Sequence, residues 1–276
     1  MTTMSESALT SPSNPRIRAA ARLRDRRERE ASGLTLVDGA RELRRALEAD
    51  IEVVEAFVCD PLLAGEDARA VLDALRSRGA TVTTTTEVAF AKLAFGDRAE
   101  GLVAIVRTPS LALDDLRLPD DPLLVVIEGV EKPGNLGATL RSADGAGVDA
   151  VIAASPRTDL ANPNVIRASA GTIFAVATAA APTGEVLTWL RSRGVRILAA
   201  RVGDGRAYTD TDLTGSVALV FGSEAEGLSD PWHAPDIEAI HLPMLGVADS
   251  LNVSVSAAVL MYEARRQRGR HTTAAD

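Results

Sequence analysis

Ile240-His-Leu-Pro-Met-Leu-Gly-Val-Ala-Asp-Ser-Leu-Asn-Val-Ser-Val-Ser-Ala-Ala-Val-Leu260 reads as a strand, an interrupted loop and a helix. Ile240 and Leu242 close a short apolar run, Pro243 and Gly246 break it, and Ser250 stands where it can cap a helix starting near Leu251. In that helix Val253, Val255, Val259, Leu260 and Met261 are interleaved with Ser254, Ser256, Ala257 and Ala258, so no polar face opens before Glu263. A helix apolar nearly all round predicts burial. Its small side chains predict that another stretch of chain is threaded or docked against it.

Upstream, Leu123-Leu-Val-Val-Ile127 is an unbroken apolar strand of the kind buried on both faces in a parallel sheet. Further strands are expected at 150–153, 175–178, 196–200 and 217–221, with helices at 136–146, 164–170 and 185–193. Strands alternating with helices call for a doubly wound α/β sheet, whose ligands sit at the carboxyl ends of its strands. Before it, strands at 34–37, 53–59, 80–85 and 102–106 alternate with helices at 40–49 and 68–78. A helix from Asn14-Pro15 to about Glu30 precedes them, and Thr86 is placed to cap one running through Leu93. The domain reading is an unstructured start at 1–13, a small α/β domain at 14–107, a proline-rich acidic linker at 108–121 and a second α/β domain at 122–270.

The formal net charge is −8. Ten arginines against five acidic residues between Asn14 and Arg45 give that segment +5, leaving −13 for the remainder. A basic end on an acidic body suits a polyanion held through its phosphates. Arg16, Arg18, Arg22 and Arg26 are the candidates for those contacts. Cys59 is the single cysteine and His233, His241 and His271 are the only histidines, too few for a disulfide framework or a metal cluster. No segment approaches 18 consecutive apolar residues, so no membrane span is expected. A reducing cytoplasm is the simplest setting.

Three segments that follow strands are loaded with Gly, Asn, Glu and Ser: Glu131–Arg141, Phe221–Leu228 and Leu242–Ser254. The glycines at 134 and 137 fit neither G-x-G-x-x-G nor a Walker loop, which sets aside a dinucleotide-dependent dehydrogenase. The motifs P-G-N-x-G-x-x-x-R at 133–141, F-G-S-E-x-x-G at 221–227 and L-P-M-x-G-x-x-x-S-L-N-V-S at 242–254 together resemble the signature motifs of the SpoU/TrmH ribose 2'-O-methyltransferases of the SPOUT superfamily. The likeness runs from about 122 to 268. Residues 14–107 resemble the L30e-like substrate-binding extension of ribosomal RNA methylating members.

That resemblance implies a trefoil-knotted parallel sheet, S-adenosylmethionine as methyl donor, and a homodimer with its active site between subunits. It places Gly222, Leu242, Met244 and Leu251 around the cofactor. Asn135, Arg141, Glu224, Ser250 and Asn252 fall on the polar catalytic positions. Arg141 also faces the RNA, as a phosphate and alkoxide ligand, because a guanidinium stays protonated and cannot serve as a general base. No metal and no DNA are expected. The expected substrate is a ribose 2'-hydroxyl in structured RNA, 23S ribosomal RNA ahead of transfer RNA, because the extra domain suits a large folded target. A non-catalytic RNA-binding or assembly factor of the same fold is the alternative of a different class.

Overall fold

The computed structural model describes residues 8–95, 100–223 and 225–269. The chain forms two compact units, Met1–Pro109 with Ala161–Ala175, and Ser110–Leu160 with Val176–Asp276.

The first unit contains α1 (Pro15–Arg22), α2 (Arg26–Ser32), β1 (Leu34–Asp38), α3 (Ala40–Glu48), β2 (Val53–Val58), α4 (Glu66–Ser77), β3 (Thr81–Thr84), α5 (Glu87–Phe90) and β4 (Leu102–Arg107). Its sheet runs β1-β4-β2-β3, with β4 antiparallel to both neighbours and β2 parallel to β3. Ile17, Leu36, Phe57 and Phe90 form the centre of its core. The single helix expected over 14–30 is two helices. Asp25 accepts a hydrogen bond from Arg27 N and starts the second, and Gly33 ends it in the left-handed conformation that glycine adopts without strain. The helix expected from Thr86 through Leu93 is only one turn, Glu87–Phe90, and the Thr86 side chain makes no capping bond.

Residues 1–7 lie outside the described residues, but the rest of the expected unstructured start is ordered. Leu9 N donates to Thr84 O, and Thr86 N donates to Leu9 O, so this apolar residue extends the β3 edge. The segment 161–175, read from sequence as part of the second domain, packs within the first unit. Arg167 on its short helix pairs with Asp38 at 3.0 Å, and Thr35 Oγ1 donates to Ala161 O at 2.6 Å.

The second unit contains β5 (Leu123–Glu128), α6 (Pro133–Ala146), β6 (Ala150–Ala154), β7 (Ala177–Ala181), α7 (Thr183–Ser192), β8 (Arg196–Ala200), β9 (Arg206–Ala207), β10 (Val217–Phe221), β11 (Glu238–His241) and α8 (Val253–Gln267). All of its described strand pairings are parallel, in the order β7-β6-β5-β10-β8-β11-β9. Leu124, Val126, Ile152, Ala218 and Val220 share one core with Val186, Trp189 and Leu190 of α7. The alternation of side chains along a strand sends Val125, Ile127 and Leu219 to the other face, where α6 and α8 pack along one another. The stretch read as a linker is partly built in, since Leu116 is buried and Ala180 N donates to Leu111 O.

Helix α8 departs from the sequence reading at both its start and its surface. Asn252, not Ser250, is its cap: Asn252 Oδ1 accepts from Ser254 N at 2.9 Å, and the first helical residue is Val253. Val253, Ala257, Leu260, Met261 and Ala264 form its buried stripe, but Val255 and Tyr262 are exposed. Burial all round therefore does not hold within one chain.

Candidate active site

Three loops leave the carboxyl ends of strands in the same sheet: 129–132 after β5, 222–228 after β10 and 242–252 after β11. The last two loops enclose a cavity of about 780 Å³ with the segment after β8. Gly222, Leu242, Met244 and Leu251 all line it, and so do Ser250 and Asn252. A smaller cavity of about 250 Å³ lies between the 129–132 and 222–228 loops and includes Asn135. Lys132, Gly222, Ser223 and Val253 border both.

Glycine is required at 222 for a steric reason. A Cβ there would lie 2.1 Å from the Gly227 carbonyl carbon, because Ser223 and Gly227 exchange backbone hydrogen bonds and fold the loop back on itself. The loop is braced from below by Glu128 at the end of β5. This buried carboxylate accepts from Ser229 N at 2.8 Å, Ser229 Oγ at 2.6 Å and Thr183 Oγ1 at 2.7 Å. Burial pushes its pKa up, but the hydrogen bonds from Ser229 and Thr183 outweigh that and hold it below the usual carboxylate range.

The structure joins two of the predicted polar residues directly. Asn252 Nδ2 donates to Asn135 Oδ1 at 3.2 Å, linking the start of α8 to the start of α6. Glu224 lies outside the described residues. Arg141 is exposed and lines neither cavity, and its guanidinium makes no hydrogen bond or ion pair among the described residues. Helical geometry explains the separation. Six residues at about 100° each put Arg141 roughly 120° around α6 from Asn135.

Several lining residues were not singled out from the sequence, among them Lys132, Arg201, Asp204 and Glu226. Arg201 follows β8, donates to Trp232 O at 2.7 Å and pairs with Asp204 at 3.2 Å. Its place after a strand of the parallel sheet was the available signal. Lys132 was hidden because its position between the cavities depends on β5 and β10 being neighbours.

The larger cavity has the size of a small-molecule site and an amphipathic lining. Leu228, Leu242, Met244 and Leu251 offer apolar contact; of the lining carboxylates Asp204 pairs with Arg201 and Glu226 with Arg157, and Asp249 brings negative charge opposite Lys132's positive one. That combination fits a nucleoside bearing a sulfonium cation. The family model described as SpoU rRNA Methylase family matches residues 122–262, and the MRM3-like substrate binding domain matches residues 14–104. The chain belongs to the SpoU rRNA methylase family. Among its relatives is the 23S rRNA (uridine(2479)-2'-O)-methyltransferase of Streptomyces viridochromogenes, 31% identical over 90% of this chain and 88% of that protein. A crystal structure of an RNA 2'-O ribose methyltransferase superposes with a TM-score of 0.83 at 41% identity, covering 95% of this chain and 99% of the other. The SpoU methyltransferase AviRb from S. viridochromogenes, solved with its cofactor AdoMet, gives 0.82 at 28% identity, covering 92% and 98%. As a SpoU family member the chain is an S-adenosylmethionine-dependent RNA 2'-O-ribose methyltransferase.

Proposed function

We propose that this enzyme methylates a ribose 2'-hydroxyl of 23S ribosomal RNA, acting in the cytoplasm as a homodimer whose active site uses both chains. The observation that carries the dimer is the split between donor and acceptor residues. Asn135, Gly222, Leu242, Met244, Leu251 and Asn252 surround the cavities of one chain, and Arg141 lines neither of them. The same region exposes Leu245 at 98%, Val255 at 47% and Tyr262 at 53% of their surfaces. An apolar surface on the 242–252 loop and α8 suits a second copy, which would bring its Arg141 to the site. Nearly full-length similarity to a 23S rRNA enzyme, including the N-terminal unit, supports the ribosomal target.

S-adenosylmethionine, when bound, supplies an electrophilic methyl on sulfur. Met244, Leu242 and Leu251 would hold the donor nucleoside by apolar contact, while Asp249 would favour its cationic end. Ser250 and the Asn135–Asn252 pair would fix the polar rim where the 2'-hydroxyl must align for in-line attack. Arg141 would bind the phosphate beside the target ribose and stabilise the emerging alkoxide, with phosphate or water taking the proton. In the first unit Arg18 is exposed with no partner among the described residues, Arg22 is 4.0 Å from Glu28 and Arg26 pairs with Glu30. These three remain the proposed RNA contacts. Arg16 is reassigned, because its Nη2 is held by Glu55 and Thr83, both at 2.6 Å.

A trefoil knot is part of the same proposal, with the chain after β11 passing the closed 222–228 loop before α8 returns against α6. An experimental chain trace through 217–260 decides it. The function is tested by mapping 2'-O-methyl positions on total RNA from cells with and without the gene. One mark missing from 23S rRNA is the expected result, and a mark missing only from transfer RNA overturns it. Sedimentation of the purified protein should show a dimer. A monomer with full activity would refute the shared site.

A further inference from the structure

Arg157 sits in the loop after β6, outside the three motif loops, and its two terminal nitrogens reach two of them. Nη1 donates to Glu131 Oε1 in the loop before α6, and Nη2 donates to Glu226 Oε2 at 2.5 Å in the loop after β10. Glu131 borders the smaller cavity and Glu226 the larger one. We propose that Arg157 is a positioning residue for methyl transfer, a clamp that fixes the width of the gap between the 129–132 and 222–228 loops.

Three observations support a built device over a chance surface pair. The Arg157 backbone is itself anchored, since Arg157 N and Thr158 N both donate to Val130 O at 3.0 Å. The loop begins at Ser155, a non-glycine residue with φ of 44°. Backbone in that region persists only where the surroundings over-determine it: Ser155 N donates to Ala181 O, and Ser155 Oγ accepts from Thr183 N at 3.0 Å. Finally, one planar fork serves two carboxylates on separate loops, a geometry that guanidinium supplies and ammonium does not. All three side chains are about half exposed or more, and exposed pairs add little to global stability. What the clamp controls is local. The 222–228 loop is a wall of the donor cavity, and displacement of reacting groups by about 1 Å lowers turnover by about a hundredfold.

The competing role for Arg157 is direct binding of an RNA phosphate, and the glutamates separate the two. If Arg157 serves phosphate, Glu131→Gln and Glu226→Gln liberate it and tighten RNA binding. If it is a clamp, both changes loosen the donor wall just as Arg157→Ala does. The inference rests on this cavity being the cofactor site, so the first readout is calorimetric affinity for S-adenosylmethionine, which needs no RNA. Failure of the wild-type protein to bind the cofactor would instead refute the assignment of the cavity.

We expect Arg157→Ala to weaken cofactor binding about tenfold and each glutamate variant to do so by a few-fold. Arg157→Ala/Glu226→Gln should be no worse than Arg157→Ala alone, and Arg157→Lys should recover only part of the loss. The melting temperature of the cofactor-free protein should stay within about 2 °C of wild type. Wild-type affinity in Arg157→Ala, fully additive effects in the double variant, or a melting temperature lowered by much more than that would each overturn the clamp.

Discussion

In the first unit Arg16, Arg24, Arg29 and Arg45 are occupied by the protein itself, whereas in the second Arg141 stands exposed and makes no pairing among the described residues. Arg24 donates to the carbonyls of Leu93 and Ala94 and lies 4.4 Å from the Phe95 ring centre. Arg29, though charged, is buried and donates to Leu23 O and Arg24 O at 2.8 Å each. These guanidiniums hold helix ends in place. The difference shows that a basic stretch in a sequence overstates the charge offered to a polyanion. What is left to meet a polyanion is the fraction whose guanidiniums are not already held by protein acceptors.

The strongest challenge to this contrast is Arg141→Ala. It should lower turnover roughly 10²- to 10³-fold and leave S-adenosylmethionine binding intact, as read by methyl transfer and calorimetry. Arg141→Lys should also be severely impaired, and a near wild-type rate would remove the fork from the mechanism. Next in size is Glu128→Ala, which strands the Ser229 and Thr183 donors and should destabilise the second unit by about 3 kcal/mol in denaturant melts. Because the folded-state pKa of Glu128 is depressed, its stabilisation is present above the usual carboxylate range. It is lost as pH falls through the folded value.

Asp38 carries the opposite sign. Burial pushes it up to about 6, against the pull of Phe95 N–H and Arg167, and its Oδ1 is buried with no hydrogen bond. Its ionisation penalty is absent below the unfolded pKa of about 4 and complete above about 6, so stability falls as pH rises across that window. Asp38→Asn should flatten that dependence and raise stability near pH 7 by about 1 to 3 kcal/mol. The smallest effect separates the arginines within one helix. Arg18→Ala should weaken RNA binding a few-fold for all sequences and lower the salt slope by about 1. Arg16→Ala should lower stability and leave that slope unchanged.

Much of this was legible in the chain. Leu123–Ile127 and Val217–Phe221 announce buried parallel strands by composition alone, and the structure pairs them with each other. The loops at 222–228 and 242–252 could be found because Gly, Pro and Asn signal turns locally, but Pro133-Gly-Asn135 opens α6, which starts three residues before the Leu136 expected from the sequence. The cap of α8 was misjudged because Ser250 and Asn252 both satisfy the local rule, and only the Ser254 N–H and the Asn135 side chain select Asn252. That segment 161–175 packs within the first unit is not visible locally, because its contact from Arg167 to Asp38 spans 129 residues.

The sequence by itself determined the alternation of strands and helices, the parallel sheet and the family, because strand composition, turn chemistry and motif spacing are properties of neighbouring residues. The tertiary structure alone decided which arginines are spent, that Arg141 lines neither cavity of its own chain, and that Arg157 spans two loops. Each of these depends on charges and carbonyls that meet only after distant strands have paired. No local pattern encodes that meeting.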